Sequence, residues 1–200
     1  MAIAFVVHTA LPYFSLSEAQ FGRYWPRRWG LLLHISAGTF ALLSGPVQLW
    51  LGLTNQRRQL HRRLGKAYVG CVAVSSLAGY YLAFTTTFGW VFGAGLAGLA
   101  TAWVVTTSLA VVAIRRRQYE QHKEWMIRSY VATTAFVTFR LFFLVLEQMG
   151  IGSPIERLTA MSWLCWAPQL LIAEAILQGR KIFATAASTS ERFILSRSGA

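Results

Sequence analysis

The sequence predicts an all-α integral membrane bundle with five transmembrane helices and a short N-terminal apolar segment. Two observations lead to this fold class. The chain has 200 residues, of which 55% are hydrophobic and only 13% are charged, whereas a soluble domain carries about 25% charged residues. The apolar residues also fall into long runs, and a membrane-spanning helix needs roughly 20 mostly apolar residues.

Five stretches have the required length, and the predicted spans run from Trp29 to Leu53, Gly65 to Thr87, Gly89 to Ile114, Trp125 to Leu146 and Leu158 to Leu177. We expect helices throughout, because unpaired backbone groups are too costly in lipid. The chain thus divides into an N-terminal apolar segment (1–28), a transmembrane bundle (29–178) and a tail (179–200). Met1 to Leu16 is too short to span, so we expect an interfacial or partly inserted helix.

The basic residues predict the orientation of the bundle. Twelve lysines and arginines lie in the loops after spans one and three, at the starts of the spans that follow, and in the first three residues of the tail, against four on the other side. By the positive-inside rule, the basic loops and the C-terminus face the cytoplasm. Short basic clusters between apolar runs are typical of contact with anionic lipid headgroups, and this arrangement argues against nucleic acid as a partner.

Three spans each carry a polar stripe that begins with a histidine and advances in steps of three or four residues. The stripe of span one contains His34, Gly38, Ala41, Gly45, Gln48 and Gly52. That of span two contains His61, Gly65, Tyr68, Val72, Ser75 and Gly79. That of span four contains His122, Met126, Ser129, Thr133, Phe136 and Arg140. Because small residues allow close helix contact, we expect these stripes to face the bundle interior.

Depth along the spans sorts the polar groups into two layers. The predicted inner layer, near the cytoplasmic interface, contains His61, His122 and Glu174. The predicted outer layer contains His34, Arg140 and Trp163. Arg140 is the least ordinary of these, since a cation at membrane depth costs about 3 kcal/mol on insertion scales and usually has a partner or a task.

Paired histidines at one depth can clamp a haem iron. His61 and His122 fit this requirement, and Arg62, Arg63 or Arg128 would neutralise the propionates. Because the chain has no CxxCH attachment motif, such a group would be haem b. The candidate cofactor-binding residues are His34, His61, Arg62, His122, Arg128, Arg140 and Glu174, and the candidate metal ligands are His61 and His122.

A zinc ion is an alternative to haem in the inner layer. A zinc site would need three protein ligands, which His61, His122 and Glu174 could provide, although no HExxH spacing supports it. His8 can join the outer layer only if the N-terminal segment folds back. Each polar residue could also have a purely structural role, such as a headgroup contact for His61 or a helix–helix hydrogen bond for His34. The sequence contains no P-loop, GxSxG or Rossmann fingerprint, so we predict no catalytic residue.

Four separated motifs carry a family resemblance: LLHISAGTFALLSGPVQLW, LHRRLGKAYV, HKEWMIRSY and SWLCWAPQLLIAE. With Arg140, they resemble a bacterial family of predicted membrane proteins, domain of unknown function 2306, over about residues 29–178. The resemblance implies a multi-pass protein of a bacterial inner membrane. It points to His34, Gly45, Gln48, His61, Arg62, Gly65, Tyr68, His122, Trp125, Arg128, Arg140 and Glu174. The chain departs from the family at Gln169, where many members carry Asn, and in its short segment before span one.

Three functions are compatible with these features. An accessory or assembly subunit of a membrane complex, with possible partner subunits in the membrane, is the function the sequence favours, because the small-residue faces and the absence of catalytic motifs suit it. The first alternative is a b-type haem-binding or quinone-linked electron-transfer protein. The second is a small anion transporter that binds its anion at Arg140.

Overall fold

The computed structural model describes the backbone of residues 5–198 and the side chains of residues 5–183. Residues 1–4 of the N-terminal apolar segment lie outside the described part, as do most side chains of the tail. The described chain is almost entirely helical and contains no strand. Its long helices are α1 (Arg28–Thr54), α2 (Arg58–Phe84), α3 (Trp90–Arg115), α4 (Tyr119–Thr133), α5 (Ala135–Gln148), α6 (Pro154–Leu164) and α7 (Ala167–Ser198).

The helices confirm the predicted membrane bundle. Within residues 5–198, four segments are long and apolar enough to cross a membrane, and the pair α4 and α5 forms a fifth span if it is counted as one. Helix α2 begins at Arg58, one to two turns before the predicted span, so His61 lies on the helix. Arginine favours helix, and a helix can continue past the apolar stretch into the headgroup region.

The surface and the interior have the composition that lipid requires. Large apolar side chains cover the outside; Leu77, Phe84 and Leu171 are each more than 70% exposed. The most buried side chains are small or polar instead, and Tyr68 and Ser129 are completely buried. Lipid tails are as apolar as leucine, so helices associate through close packing and hydrogen bonds.

Span four is not the single helix that the sequence predicted. Helices α4 and α5 meet at Thr134 with a bend of 40°. The hydroxyls of neighbouring threonines bond back to the helix backbone, with Thr133 Oγ1 2.9 Å from Ser129 O and Thr134 Oγ1 2.8 Å from Val131 O. Such bonds compete with the backbone ladder and bend helices.

Span five is also interrupted, at Cys165 and Trp166. Pro168 explains the break, because it has no N–H to continue the ladder and is accommodated in the first turn of a new helix. Helix α6 has its own N-terminal capping box, made by Ser153 and Glu156. The hydroxyl of Thr138 lies 3.1 Å from the carbonyl oxygen of Cys165, so α5 contacts the interruption of span five about one turn after the bend.

A proline inside α1 is accommodated by a side chain of α4. Pro46 cannot donate to the carbonyl of Leu42. The hydroxyl of Tyr130 donates to that carbonyl instead, at 3.3 Å. The tyrosine ring lies directly against Gly45, where any Cβ would collide with it. The Gly–Pro pair therefore fixes the position of α4 on α1.

The N-terminal segment folds back over one end of the bundle. Its described part forms short helical turns at Val6–Ala10, Leu11–Ser15, Glu18–Phe21 and Gly22–Arg27. Val6 and Ala10 are buried against Leu42, and the Arg27 guanidinium donates to the carbonyl of Thr85. We call the end with the Arg57 and Arg116 loops the basic end. The other end, which the N-terminal segment covers, is the opposite end.

Candidate functional site

The three predicted stripes meet in the bundle interior. The hydroxyl of Tyr68 on α2 lies 2.9 Å from Ser129 Oγ and 2.8 Å from Thr133 Oγ1 on α4. His34 on α1 lies 2.9 Å from the carbonyl of Ser75 on α2, measured from Nδ1. The periodicity of the sequence thus identified the facing surfaces of these helices.

Helix α3 completes this polar centre, and its contribution was not predicted. Trp103 Nε1 donates to Thr133 Oγ1 at 2.9 Å, and Thr107 Oγ1 lies 2.7 Å from Ser129 Oγ. Trp103 and Thr107, one turn apart in span three, were the available signal. The network satisfies buried hydroxyls that would otherwise be unpaired in lipid.

A cavity of about 280 Å³ lies on the opposite-end side of this network. Rings form much of its wall: Phe5, Tyr13, Tyr24, Phe88, Phe92, Trp103, Phe136 and Phe139. Its polar lining residues are Thr9, His34, Thr39, Ser75, Ser76, Thr133 and Arg140. We call it the aromatic cavity. It contains the predicted outer-layer residues His34 and Arg140 but not Trp163, which is 40% exposed and bonds to the carbonyl of Val91.

His34 is held in one orientation by α2. Its Nδ1 donates to the carbonyl of Ser75, and the Ser75 hydroxyl donates back to the carbonyl of His34 at 3.0 Å. The edge-to-face ring of Phe136 lies 5.5 Å away, centroid to centroid. A proton on Nδ1 leaves Nε2 as a lone-pair acceptor, and no described residue donates to it.

Two more polar groups line the cavity without a hydrogen-bonding partner. Ser76 is 2% exposed, and its hydroxyl oxygen has no hydrogen bond among the described residues. Among the described residues, Arg140 also makes no hydrogen bond and no ion pair, although its charge interacts with Tyr24. Buried polar groups are normally paired, so the Ser76 hydroxyl is available to a bound molecule. Arg140 is exposed, and its guanidinium is available at the edge of the cavity.

The predicted inner layer is assembled only in part. His61 and His122 each precede the hydrogen-bonded pair Tyr68 and Ser129 by seven residues, so they lie at the same level on α2 and α4. Glu174 is engaged elsewhere: its carboxylate lies 2.6 Å from Arg128 Nη2 and 2.7 Å from Arg128 Nε. Across the described residues, no three His, Cys, Asp or Glu side chains form a group able to hold a metal. The three-ligand zinc arrangement is therefore not formed.

Arg128 is the centre of an ionic cluster between α4 and α7. Its guanidinium stacks over Trp125 at 4.5 Å and lies 3.6 Å from Glu124, which also pairs with Lys181 at 2.8 Å. The side chain is only 8% exposed. Pairing with Glu174 makes Arg128 a structural cation rather than a free partner for a propionate.

Two remaining candidates lie outside both sites. Arg62 is exposed on α2, where it contacts headgroups or solvent. The N-terminal segment does fold back, as participation of His8 required, but His8 is exposed and does not line the aromatic cavity.

Comparison with known proteins agrees with this membrane architecture. A family model described as "Predicted membrane protein (DUF2306)" matches residues 31–177. No curated protein and no solved structure matches the chain. The activity of the chain must therefore be inferred from the geometry of its own side chains and cavity.

Proposed function

We propose that this chain, which belongs to the DUF2306 family of predicted membrane proteins, binds a quinone or quinol inside the membrane. The observation that carries the proposal is the aromatic cavity, in which three unpaired polar groups face a largely apolar, ring-lined space. These groups are the buried Ser76 Oγ, Nε2 of the half-buried His34, and the guanidinium of the exposed Arg140.

The size and lining of the cavity suit a planar ring. Its volume of about 280 Å³ is close to the lower end of the ~300–1,000 Å³ of small-molecule sites. Aromatic walls favour an offset or edge-to-face contact with another ring. An isoprenoid tail would leave the cavity between helices and enter lipid, where apolar burial is favourable.

The polar groups match the oxygen atoms of such a ring. A quinol hydroxyl donates a hydrogen bond, and His34 Nε2 accepts one. A quinone carbonyl accepts, and the Ser76 hydroxyl and the Arg140 guanidinium donate. A site built to bond a hydroxyl or carbonyl discriminates strongly against analogues that lack it, because its own buried groups are then left unpaired.

Binding of a short-chain quinone to the purified full chain in nanodiscs tests the proposal. We expect saturable quenching of tryptophan fluorescence, because Trp103 lines the cavity. His34→Ala should weaken binding about 10-fold, since a hydrogen bond to a buried group contributes roughly 1–1.5 kcal/mol. His8→Ala is the matched control and should bind normally. Quinone binding that is absent, or equal in both variants, would contradict the proposal.

Anion transport is a second candidate, and the interrupted spans favour it. Spans four and five are both interrupted, and α5 contacts the break in span five. Helix α5 also contributes Phe136 and Arg140 to the lining of the cavity. Transporters often place anion sites at such breaks. Liposomes containing the protein should then carry an anion current that Arg140→Gln abolishes. Unchanged anion flux on adding the protein would eliminate this candidate.

The accessory-subunit function loses the feature that favoured it. The small residues of the stripes pack within the chain: Gly45 contacts Tyr130, and Gly38 and Gly79 contact Ser75 and His34. These surfaces are therefore not open to a partner. A stable partner recovered on mild detergent extraction would restore this function as the leading candidate.

A further inference from the structure

We propose a second site at the basic end, in which the imidazoles of His61 and His122 ligate one transition-metal centre, either a single ion or the iron of a haem. The site shares no residue with the aromatic cavity, so it goes beyond the quinone binding proposed above and does not depend on it.

Helix register places the two histidines at the same level, on the faces of α2 and α4 that carry Tyr68 and Ser129. Helices α2 and α4 both start at the basic end, and they are joined by the hydrogen bond of 2.9 Å between Tyr68 and Ser129. His61 and His122 each precede that pair by seven residues. Seven residues are two turns, or about 10 Å, and return to the same helix face.

His122 is oriented as a metal-ligating histidine is. Its Nδ1 donates to the carbonyl of Ala110 on α3, at 2.9 Å. Histidine ligands almost always donate their second ring nitrogen to a carbonyl, a carboxylate or water, which fixes the tautomer and the ring. The proton on Nδ1 leaves the lone pair of Nε2 for a metal.

Two further acceptor atoms are buried here without a partner. His61 Nδ1 and Gln48 Oε1 make no hydrogen bond within the described chain. Gln48 is only 3% exposed, and its Nε2 donates to the backbone carbonyl of His61 at 2.8 Å. The amide oxygen therefore lies beside His61. Buried polar atoms are rarely left unpaired, and a bound cation or its water would pair these two.

Two glycines admit these side chains between α1 and α2. A Cβ on Gly52 would lie 3.2 Å from His61 Cε1, and a Cβ on Gly65 would lie 3.3 Å from Gln48 Nε2. Both distances are tighter than ordinary contact. The glycines of these two stripes thus leave room for an imidazole and an amide, where larger residues would displace them.

The donor set indicates the class of metal. The acidic residues of α4 and α7 whose side chains are described, Glu120, Glu124 and Glu174, pair with Lys123, Lys181 and Arg128. Two imidazole nitrogens with no carboxylate suit copper, zinc or haem iron rather than magnesium or calcium. The other coordination positions would be filled by porphyrin nitrogens, by water or by the Gln48 amide oxygen.

Absorption spectroscopy and metal analysis of the purified full chain distinguish the two sources. A Soret band in the isolated protein, lost in His61→Ala and in His122→Ala, would establish haem. Without that band, we expect the chain to bind one equivalent of Cu²⁺, with electron paramagnetic resonance showing two nitrogen ligands. Either substitution should then weaken copper binding at least 10- to 100-fold, and His8→Ala should not.

Misfolding is controlled by a second pair of variants. His61→Gln and His122→Gln keep a polar side chain of similar size, and gel filtration and near-UV circular dichroism report whether they fold. A wild-type protein with neither a Soret band nor stoichiometric copper binding would overturn the proposal. Copper binding that survives in the folded variants would overturn it as well.

Discussion

Substituting Gly45 by alanine tests the contact that positions α4 on α1. The new Cβ would collide with the ring of Tyr130, and the ring cannot move without losing its bond to the carbonyl of Leu42. Overpacking costs about 1–3 kcal/mol, and the lost hydrogen bond costs about 1 kcal/mol. Alanine returns at most ~1 kcal/mol in helix propensity. We therefore expect a net destabilisation of about 2 kcal/mol.

Gly70→Ala is the matched control. It lies within α2, and a Cβ at that position meets nothing within 4 Å. At that position only the higher helix propensity of alanine contributes to the change in stability, so Gly70→Ala should be neutral or slightly stabilising. The measurement is reversible unfolding in mixed detergent micelles, followed by near-UV circular dichroism.

A double substitution separates the collision from other effects. Removing the ring with Tyr130→Ala should make Gly45→Ala harmless in that background, because nothing is left to collide with. An interaction free energy of about 1–3 kcal/mol is the expected size for residues in direct contact. If Gly45→Ala unfolds at the same detergent fraction as wild type, the contact between Gly45 and the Tyr130 ring does not position α4 on α1.

Three further predictions follow from the polar contacts. Glu174→Gln should destabilise the bundle by about 2 kcal/mol, because Arg128 is 8% exposed; Glu120→Gln, at an 82% exposed carboxylate, should change little in the same unfolding assay. Tyr68→Phe should cost about 1–2 kcal/mol by leaving buried hydroxyls unpaired, and an unchanged unfolding midpoint would contradict the network. Cysteines at Arg116 and Glu156 should be labelled from opposite sides of a cell membrane by an impermeant thiol reagent; labelling of both from outside would refute the topology.

The spans and their facing surfaces were predictable from the sequence. Long apolar runs locate helices because lipid leaves few alternatives. The three- and four-residue spacing of small and polar residues then selects the buried face, as the Tyr68–Ser129 and His34–Ser75 bonds confirm. The apolar runs and the residue spacing both involve residues close together in the sequence, and both patterns are strong in a membrane bundle.

The interruptions and the partners of charged groups were not predictable in the same way. The bend at Thr134 depends on competing hydroxyl bonds, and threonine is also common in straight helices. Depth along the spans predicts that Glu174 lies in the same layer as His61 and His122. Depth does not give the angle around the helix, and α7 turns its carboxylate towards Arg128. The aromatic cavity required the N-terminal segment to cover the bundle, which an ambiguous apolar stretch does not reveal.

The bend at Thr134 has a consequence for how the chain enters the bilayer. Helix α4 has 15 residues and α5 has 14. At about 1.5 Å per residue, each reaches only about 20 Å, whereas the hydrocarbon core is about 30 Å thick. Neither half can be integrated as a separate transmembrane segment. Insertion must therefore treat Tyr119–Gln148 as one unit, with Arg140 carried across the bilayer inside it.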